Sequence, residues 1–315
     1  MPKNIFISYR HTDGDWVWGR LKPCLEAGGA KVLIDKERFR PGRNVYHQMD
    51  ELQDQADLNL LVLSRQYFKS EPCRREMERA VATDPEFRHH KVVPIKRDHS
   101  DWPDLLTRHQ PLRVDLLANE PDYGNPEQWR GLMTVCGAEL GTSPATWLAA
   151  RDEVVQLVRR GESVCLYVDR PVLWQPLLRH LREETLPAPY LPDLQTVDLQ
   201  DPRTTSRPGL LQRILESLGH SVALPAKPGD LAAFGRAIQS MSYFQLAITT
   251  FDLVATPGRQ NEYELDFFAS LRFLMTESPK KLGLLAVSRT AFGTLLPPTN
   301  PLSDIDVKTV RLRKS

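Results

Sequence analysis

The stretch SRQYFKSEPCRREMERA, residues 64–80, holds the side chains best suited to chemistry. It leaves a predicted strand and enters a helix, with Glu76 placed behind Arg74 and Arg75. Ser70 suits the N-cap, and Glu71 with Pro72 suits the first turn. Cys73, Met77, Ala80 and Val81 recur at helical spacing and predict the buried stripe, with Cys73 packed rather than reactive. Glu71 and Arg75 are spaced to pair on the outer face. Glu76 falls on one border of the stripe and Arg74 on the other. Periodicity therefore favours a solvated or salt-bridged Glu76 and leaves a working carboxylate as the open alternative.

Other ionisable groups are weaker candidates. His89 and His90 precede a strand and read as a solvated turn. Asp98, His99 and Asp101 lack a residue to complete a ligand set, so no metal site is expected. Cys24, Cys73, Cys136 and Cys165 form no CxxC pair, which argues against zinc and against a disulfide framework. Reduced thiols in a cytoplasmic protein are the expected state. No GxGxxG or phosphate-loop motif occurs, so any dinucleotide would be bound in another way.

The elements that must position these residues alternate in type. IFISY (5–9), KVLID (31–35), LNLLVLS (58–64), KVVPI (91–95) and LRVDLL (112–117) read as strands. Helices are predicted after Asp13 or Asp15, either of which could cap, and over VYHQMDELQDQA (45–56), the 70–81 region and PEQWRGLMTVCGAEL (126–140). Pro23 is expected to bend or end the first helix, and Gly28-Gly29 to stop it. Such alternation implies a parallel sheet covered on both faces. Function in such sheets gathers at the carboxyl ends of strands, here Ser8 to Arg10, Asp35 onward and Ser64 onward.

GTSPA (141–145) reads as a boundary, giving domains of 1–142 and 146–315. The second half predicts a helix over 146–161 and strands at SVCLYV (163–168), TVDL (196–199), FQLAITTF (244–251) and KLGLLAV (281–287). DIDVKTVRL (304–312) is read as an edge strand. This is a second α/β unit that faintly resembles a degenerate phosphate-loop NTPase domain. Its first turn is Asp169, Arg170 and Pro171, without the glycines and lysine that would hold a triphosphate. Glu262, Glu264 and Asp266 read as a solvated helix face.

The 315 residues suit two domains, with 41% hydrophobic and 26% charged residues and a formal net charge of +1. Nothing in that balance indicates nucleic acid, and no apolar run approaches a membrane span. The N-terminus turns polar too early for a signal peptide.

Residues 3 to 140 resemble a TIR (Toll/interleukin-1 receptor) domain of the bacterial kind. FISYRHTD (6–13) is similar to the family's opening strand and loop, LEAGGAKVLID (25–35) to its first helix end and second strand, and RFRPGRN (38–44) to its BB loop. Ser64, Tyr67, Ser70, Cys73 and Glu76 reproduce the S-x-x-Y-x-x-S-x-x-C-x-x-E spacing of NAD-cleaving TIR domains. Pro72 departs from the tryptophan usual in plant relatives.

The resemblance implies a flavodoxin-like α/β fold and cleavage of the nicotinamide–ribose bond of NAD, with Glu76 catalytic. NAD is then substrate rather than cofactor, and ADP-ribosyl cyclase activity is a further option. Tyr9, Arg10, Asp35, Ser70 and Cys73 are candidates to line the substrate site. Phe39 and Arg40 in the BB loop would touch substrate or form an assembly contact. The implied setting is antiphage defence, with activation by BB-loop self-assembly and an activating partner or ligand at the C-terminal domain. The alternative is a non-catalytic adaptor or virulence mimic.

Overall fold

The computed structural model describes residues 3–34, 42–108, 111, 113–118, 125–168, 174–183, 194–241, 243–277, 281–303 and 307–312. Asp35, Phe39, Arg40 and the turn at Asp169 to Pro171 lie outside the described residues. The chain divides into two compact units, with the boundary between Leu148 and Ala149. That division falls inside a helix, Pro144–Arg159, and not at GTSPA. Ser143 explains the difference: its hydroxyl accepts from the Thr146 backbone N–H at 3.1 Å, so the polar punctuation marks a helix start.

In the first unit β1 (Asn4–Tyr9), β2 (Lys31–Leu33), β3 (Leu58–Leu63), β4 (Val92–Lys96) and β5 (Val114–Asp115) form one sheet in the order β2-β1-β3-β4-β5. Every neighbouring pair is parallel. This is the flavodoxin-like order, whose direction reverses between β1 and β3 and leaves a crevice beyond their carboxyl ends. The apolar runs produce this because both faces are covered: all six residues of β3 are buried.

Helices α1 (Lys22–Ala27), α2 (Val45–Asp54), α3 (Glu71–Thr83) and α4 (Pro126–Cys136) belong to this unit. Pro23 does not end the first helix. A π-helical stretch, Val17–Leu21, precedes α1, and the Lys22 N–H bonds the Val17 carbonyl five residues back. The wider turn eases the clash a proline ring makes with the carbonyl four residues before it. Gly28 and Gly29 do close the helix, with φ of 95° at Gly29 and the Ala30 N–H on the Leu25 carbonyl at 2.9 Å. Gly28 is required sterically as well: a Cβ there would lie 2.7 Å from the Ala138 Cβ and 2.8 Å from the Glu139 nitrogen.

The second unit holds β6 (Val164–Val168), β7 (Leu194–Asp198), β8 (Phe244–Thr249), β9 (Leu282–Ser288) and β10 (Lys308–Leu312) in the order β10-β6-β9-β8-β7. It too is wholly parallel, and β10 is an edge strand as expected. Helices α6 (Trp174–Glu183), α7 (Arg207–Ser217), α8 (Asp230–Gln239) and α9 (Leu265–Thr276) belong to it, as does most of α5 (Pro144–Arg159), the helix that contains the division. Of Glu262, Glu264 and Asp266, read as a solvated helix face, Glu264 and Asp266 are exposed, but the helix placement and the absence of partners are corrected here. Only Asp266 lies within α9, and it accepts two bonds from the buried Arg207 at 2.7 and 2.8 Å. Glu262 accepts from the Arg207 backbone N–H at 3.1 Å, and Asp230, fully buried, takes the other edge of the guanidinium at 2.7 and 2.8 Å.

Candidate functional site

Glu76 is buried, at 6% exposure, although its place on the stripe border suggested surface charge. The reason lies in the strand end it faces. Ser8, buried in β1 and paired in register with Leu61 of β3, donates its hydroxyl to Glu76 Oε2 at 2.5 Å. That length is typical of a charge-assisted bond to a carboxylate. From α2, Gln53 donates to the Glu76 backbone carbonyl at 2.9 Å, fixing the helix at this turn.

The three-residue spacing of the opening stretch has a single geometric meaning. Ser64 donates to Asp13 at 2.8 Å, and Tyr67 meets the Ser8 hydroxyl at 2.7 Å. Ser70 accepts from Arg10 at 3.4 Å, and the Cys73 thiol points at the Tyr9 carbonyl at 3.7 Å. With Glu76 on Ser8, each of these side chains meets the segment Ser8 to Asp13 at the end of β1. A short helical turn, Arg65–Phe68, and then α3 carry the chain across the carboxyl end of β1. Ser64 caps the first by accepting from the Tyr67 N–H at 3.3 Å.

Several local expectations change in this light. Ser70 sits at the N-cap of α3 but makes no side-chain cap bond, because its hydroxyl serves Arg10. Asp13 caps nothing with its side chain and instead receives Ser64. Arg75 pairs with Asp50 of α2 at 2.6 Å in place of Glu71. Tyr9 is buried, and its hydroxyl accepts from the Trp18 indole at 2.8 Å. Arg10 is exposed beside Ser70. Cys73 is buried in the apolar stripe, as spacing predicted. His89 and His90 are exposed, and the His89 N–H bonds Asp84. Asp98 accepts from the backbone N–H groups of Arg65 and Ser100.

Ser8, Tyr67 and Asp13 were read from sequence only as a strand end, a motif position and a helix cap, and none was assigned to the site. A serine inside the apolar run IFISY was the available signal, since a buried hydroxyl needs a partner. Burial pushes the Tyr67 phenol well above its ordinary range, the nearby Glu76 charge adds to the rise, and the bond with Ser8 offsets part of it. Burial also raises the Asp13 carboxyl, against the hydrogen bond from Ser64 and the charge of Arg97. The Arg97 guanidinium, one residue past β4, lies 3.9 Å from the Trp16 ring centre. Chemically, the arrangement is one buried carboxylate held by a hydroxyl at a topological switch point. Such a group stabilises positive charge developing on a bound ligand.

Residues 5–129 match the family described as TIR domain, and the first unit is a TIR domain. The chain is 32% identical over 95 residues to Toll-like receptor 13 of Mus musculus, covering 29% of this chain and 9% of that protein. It is 28% identical over 117 residues to the NAD(+) hydrolase PdTIR of Paracoccus denitrificans, covering 37% of this chain and 38% of that protein. The chain thus spans well under half the length of either curated relative. Among solved structures, the TIR domain of the Toll-related receptor TRR-2 from Hydra magnipapillata is 20% identical, with a TM-score of 0.35, covering 42% of this chain and 96% of that one. No described helix is long and apolar enough to cross a membrane.

Proposed function

We propose that this chain is an NAD glycohydrolase whose TIR domain cleaves the nicotinamide–ribose bond with Glu76 as the working carboxylate. The observation that carries the reading is the buried carboxylate at the β1/β3 crevice, held by Ser8 at 2.5 Å and surrounded by the converging motif residues. Similarity to a named NAD(+) hydrolase over 117 residues supports it.

The chemistry suits a single carboxylate. Bond cleavage builds oxocarbenium character on the ribose, which an adjacent anion stabilises. Nicotinamide departs from a cationic ring as a neutral amide, so no strong general acid is needed. Arg10, Asp35, Phe39, Arg40 and Ser70 are proposed to contact substrate, and cyclisation to cyclic ADP-ribose is a possible second outcome of the same intermediate. A role in antiphage defence, in the cytoplasm, with the second unit receiving an activating partner, is the proposed setting.

The burial of Glu76 favours a form that turns over slowly until TIR domains assemble. It equally suits a second reading, a non-catalytic interaction module in which the Ser8–Glu76 bond is structural. Nicotinamide release from NAD by the purified full chain, measured from dilute to concentrated protein with a crowding agent, separates the two. Specific activity that rises with concentration is expected for the enzyme. No release when the chain is concentrated and crowded would select the interaction module.

A further inference from the structure

The direction of the hydrogen bonds around Ser8 carries information that distances alone do not. A serine hydroxyl has one hydrogen to give. With Glu76 ionised, Ser8 gives it to Oε2 at 2.5 Å, and the 2.7 Å contact with Tyr67 is then one in which the phenol donates. The result is an ordered chain, Tyr67 to Ser8 to Glu76, in which every hydrogen points toward the carboxylate. All three side chains are buried: Tyr67 at 0%, Ser8 at 1% and Glu76 at 6% exposure. They come from the turn after β3, from β1 itself and from α3, so the chain ties the carboxylate to the rigid strand at the crevice.

We propose that Tyr67, acting through Ser8, is a positioning residue for Glu76: the phenol–hydroxyl–carboxylate chain holds Glu76 as an oriented anion for the reaction proposed above. This rests on the reading of Glu76 as the working carboxylate. Were the Oε2 oxygen to carry a proton and donate it to Ser8, the serine would donate to Tyr67, and the buried phenol hydrogen would have no acceptor among the described residues. The ionised carboxylate uses each hydrogen in the chain. Polarisation along the chain strengthens the last bond, the one that reaches the carboxylate. Neither Tyr67 nor Ser8 needs to touch substrate for this, so their effect should fall on turnover and spare binding.

The test uses the full chain under the concentrated, crowded condition, with NAD as substrate. Tyr67→Phe deletes one oxygen and keeps the ring, so the fold is retained, and its melting point is checked against wild type. It is expected to lower kcat about tenfold with KM within about twofold, the scale of one buried hydrogen bond. Ser8→Ala removes the charge-assisted bond itself and is expected to lower kcat about 30-fold or more. In the Ser8→Ala background, adding Tyr67→Phe should cost almost nothing further, because the chain is already cut. A full additional tenfold loss in that background would overturn the relay, as would a Tyr67→Phe variant with wild-type kcat while Glu76→Gln is inactive. A Glu76→Gln variant with wild-type turnover, or no turnover by wild type, would instead overturn the reading of Glu76 and the relay with it.

Discussion

Replacing Glu76 with glutamine isolates the charge from the shape. The amide keeps an oxygen where Ser8 donates, and the side-chain volume is nearly unchanged, so the local packing of α3 against β1 survives. What disappears is the anion. A unit charge about 4 Å from a developing oxocarbenium, at an effective dielectric of about 20, is worth about 4 kcal/mol. At 1.36 kcal/mol per factor of ten, this is about a thousandfold in kcat. Stability should fall by only about 1 kcal/mol, because one charge-assisted bond becomes a neutral one. Glu76→Ala is a poorer test: at 6% exposure, truncation opens a cavity and strands the Ser8 and Tyr67 hydroxyls, costing about 2–4 kcal/mol. The solvated Glu76 that periodicity favoured is therefore corrected to a packed one. The assay is nicotinamide release at saturating NAD under clustering conditions, beside a melting curve for each variant. Turnover within about threefold of wild type in a folded Glu76→Gln protein would refute the assignment.

Other consequences concern the scaffold. Arg207→Ala should destabilise the second unit by about 3–5 kcal/mol, because Asp230 would stay buried without its partner; a denaturation midpoint equal to wild type would contradict this. Burial pushes the Asp230 carboxyl up, but the hydrogen bonds and charge of Arg207 outweigh it and hold the group below its ordinary value. A lowered folded value means that this stability is present above about pH 4 and is lost as pH falls through the folded value, a trend that Asp230→Asn should remove from chemical-denaturation curves. Gly28→Ala should cost about 1–3 kcal/mol in the first unit, since its Cβ would press on the Glu139 backbone nitrogen at 2.8 Å; an unchanged melting point would mean that the turn at Ala138 and Glu139 yields freely.

How far the fold could be read from sequence follows from which forces act locally. The strands of both units were legible because a strand covered on both faces is a continuous apolar run, and LNLLVL and LGLLAVS are such runs. Their parallel pairing followed from the intervening helices. The stripe Cys73, Met77, Ala80 and Val81 was legible for the same local reason. Glu76 was not, since helical spacing places a residue on a border and leaves its exposure to whatever packs there. The deciding partner is Ser8, 68 residues earlier. Arg207 shows the same blindness: the carboxylates it gathers, Asp230 and Asp266, lie 23 and 59 residues away, so the sequence offered only acids near a helix start. Long-range polar pairs leave no period in the chain, whereas apolar burial does. The three-residue spacing from Ser64 to Glu76 is the intermediate case. It is a pattern in the sequence, but its physical content appears only when the end of β1 supplies Asp13, Ser8, Arg10 and the Tyr9 carbonyl as partners. The spacing then reads as a condition on geometry: a helical path laid across one strand end must present a polar side chain each time it faces that end.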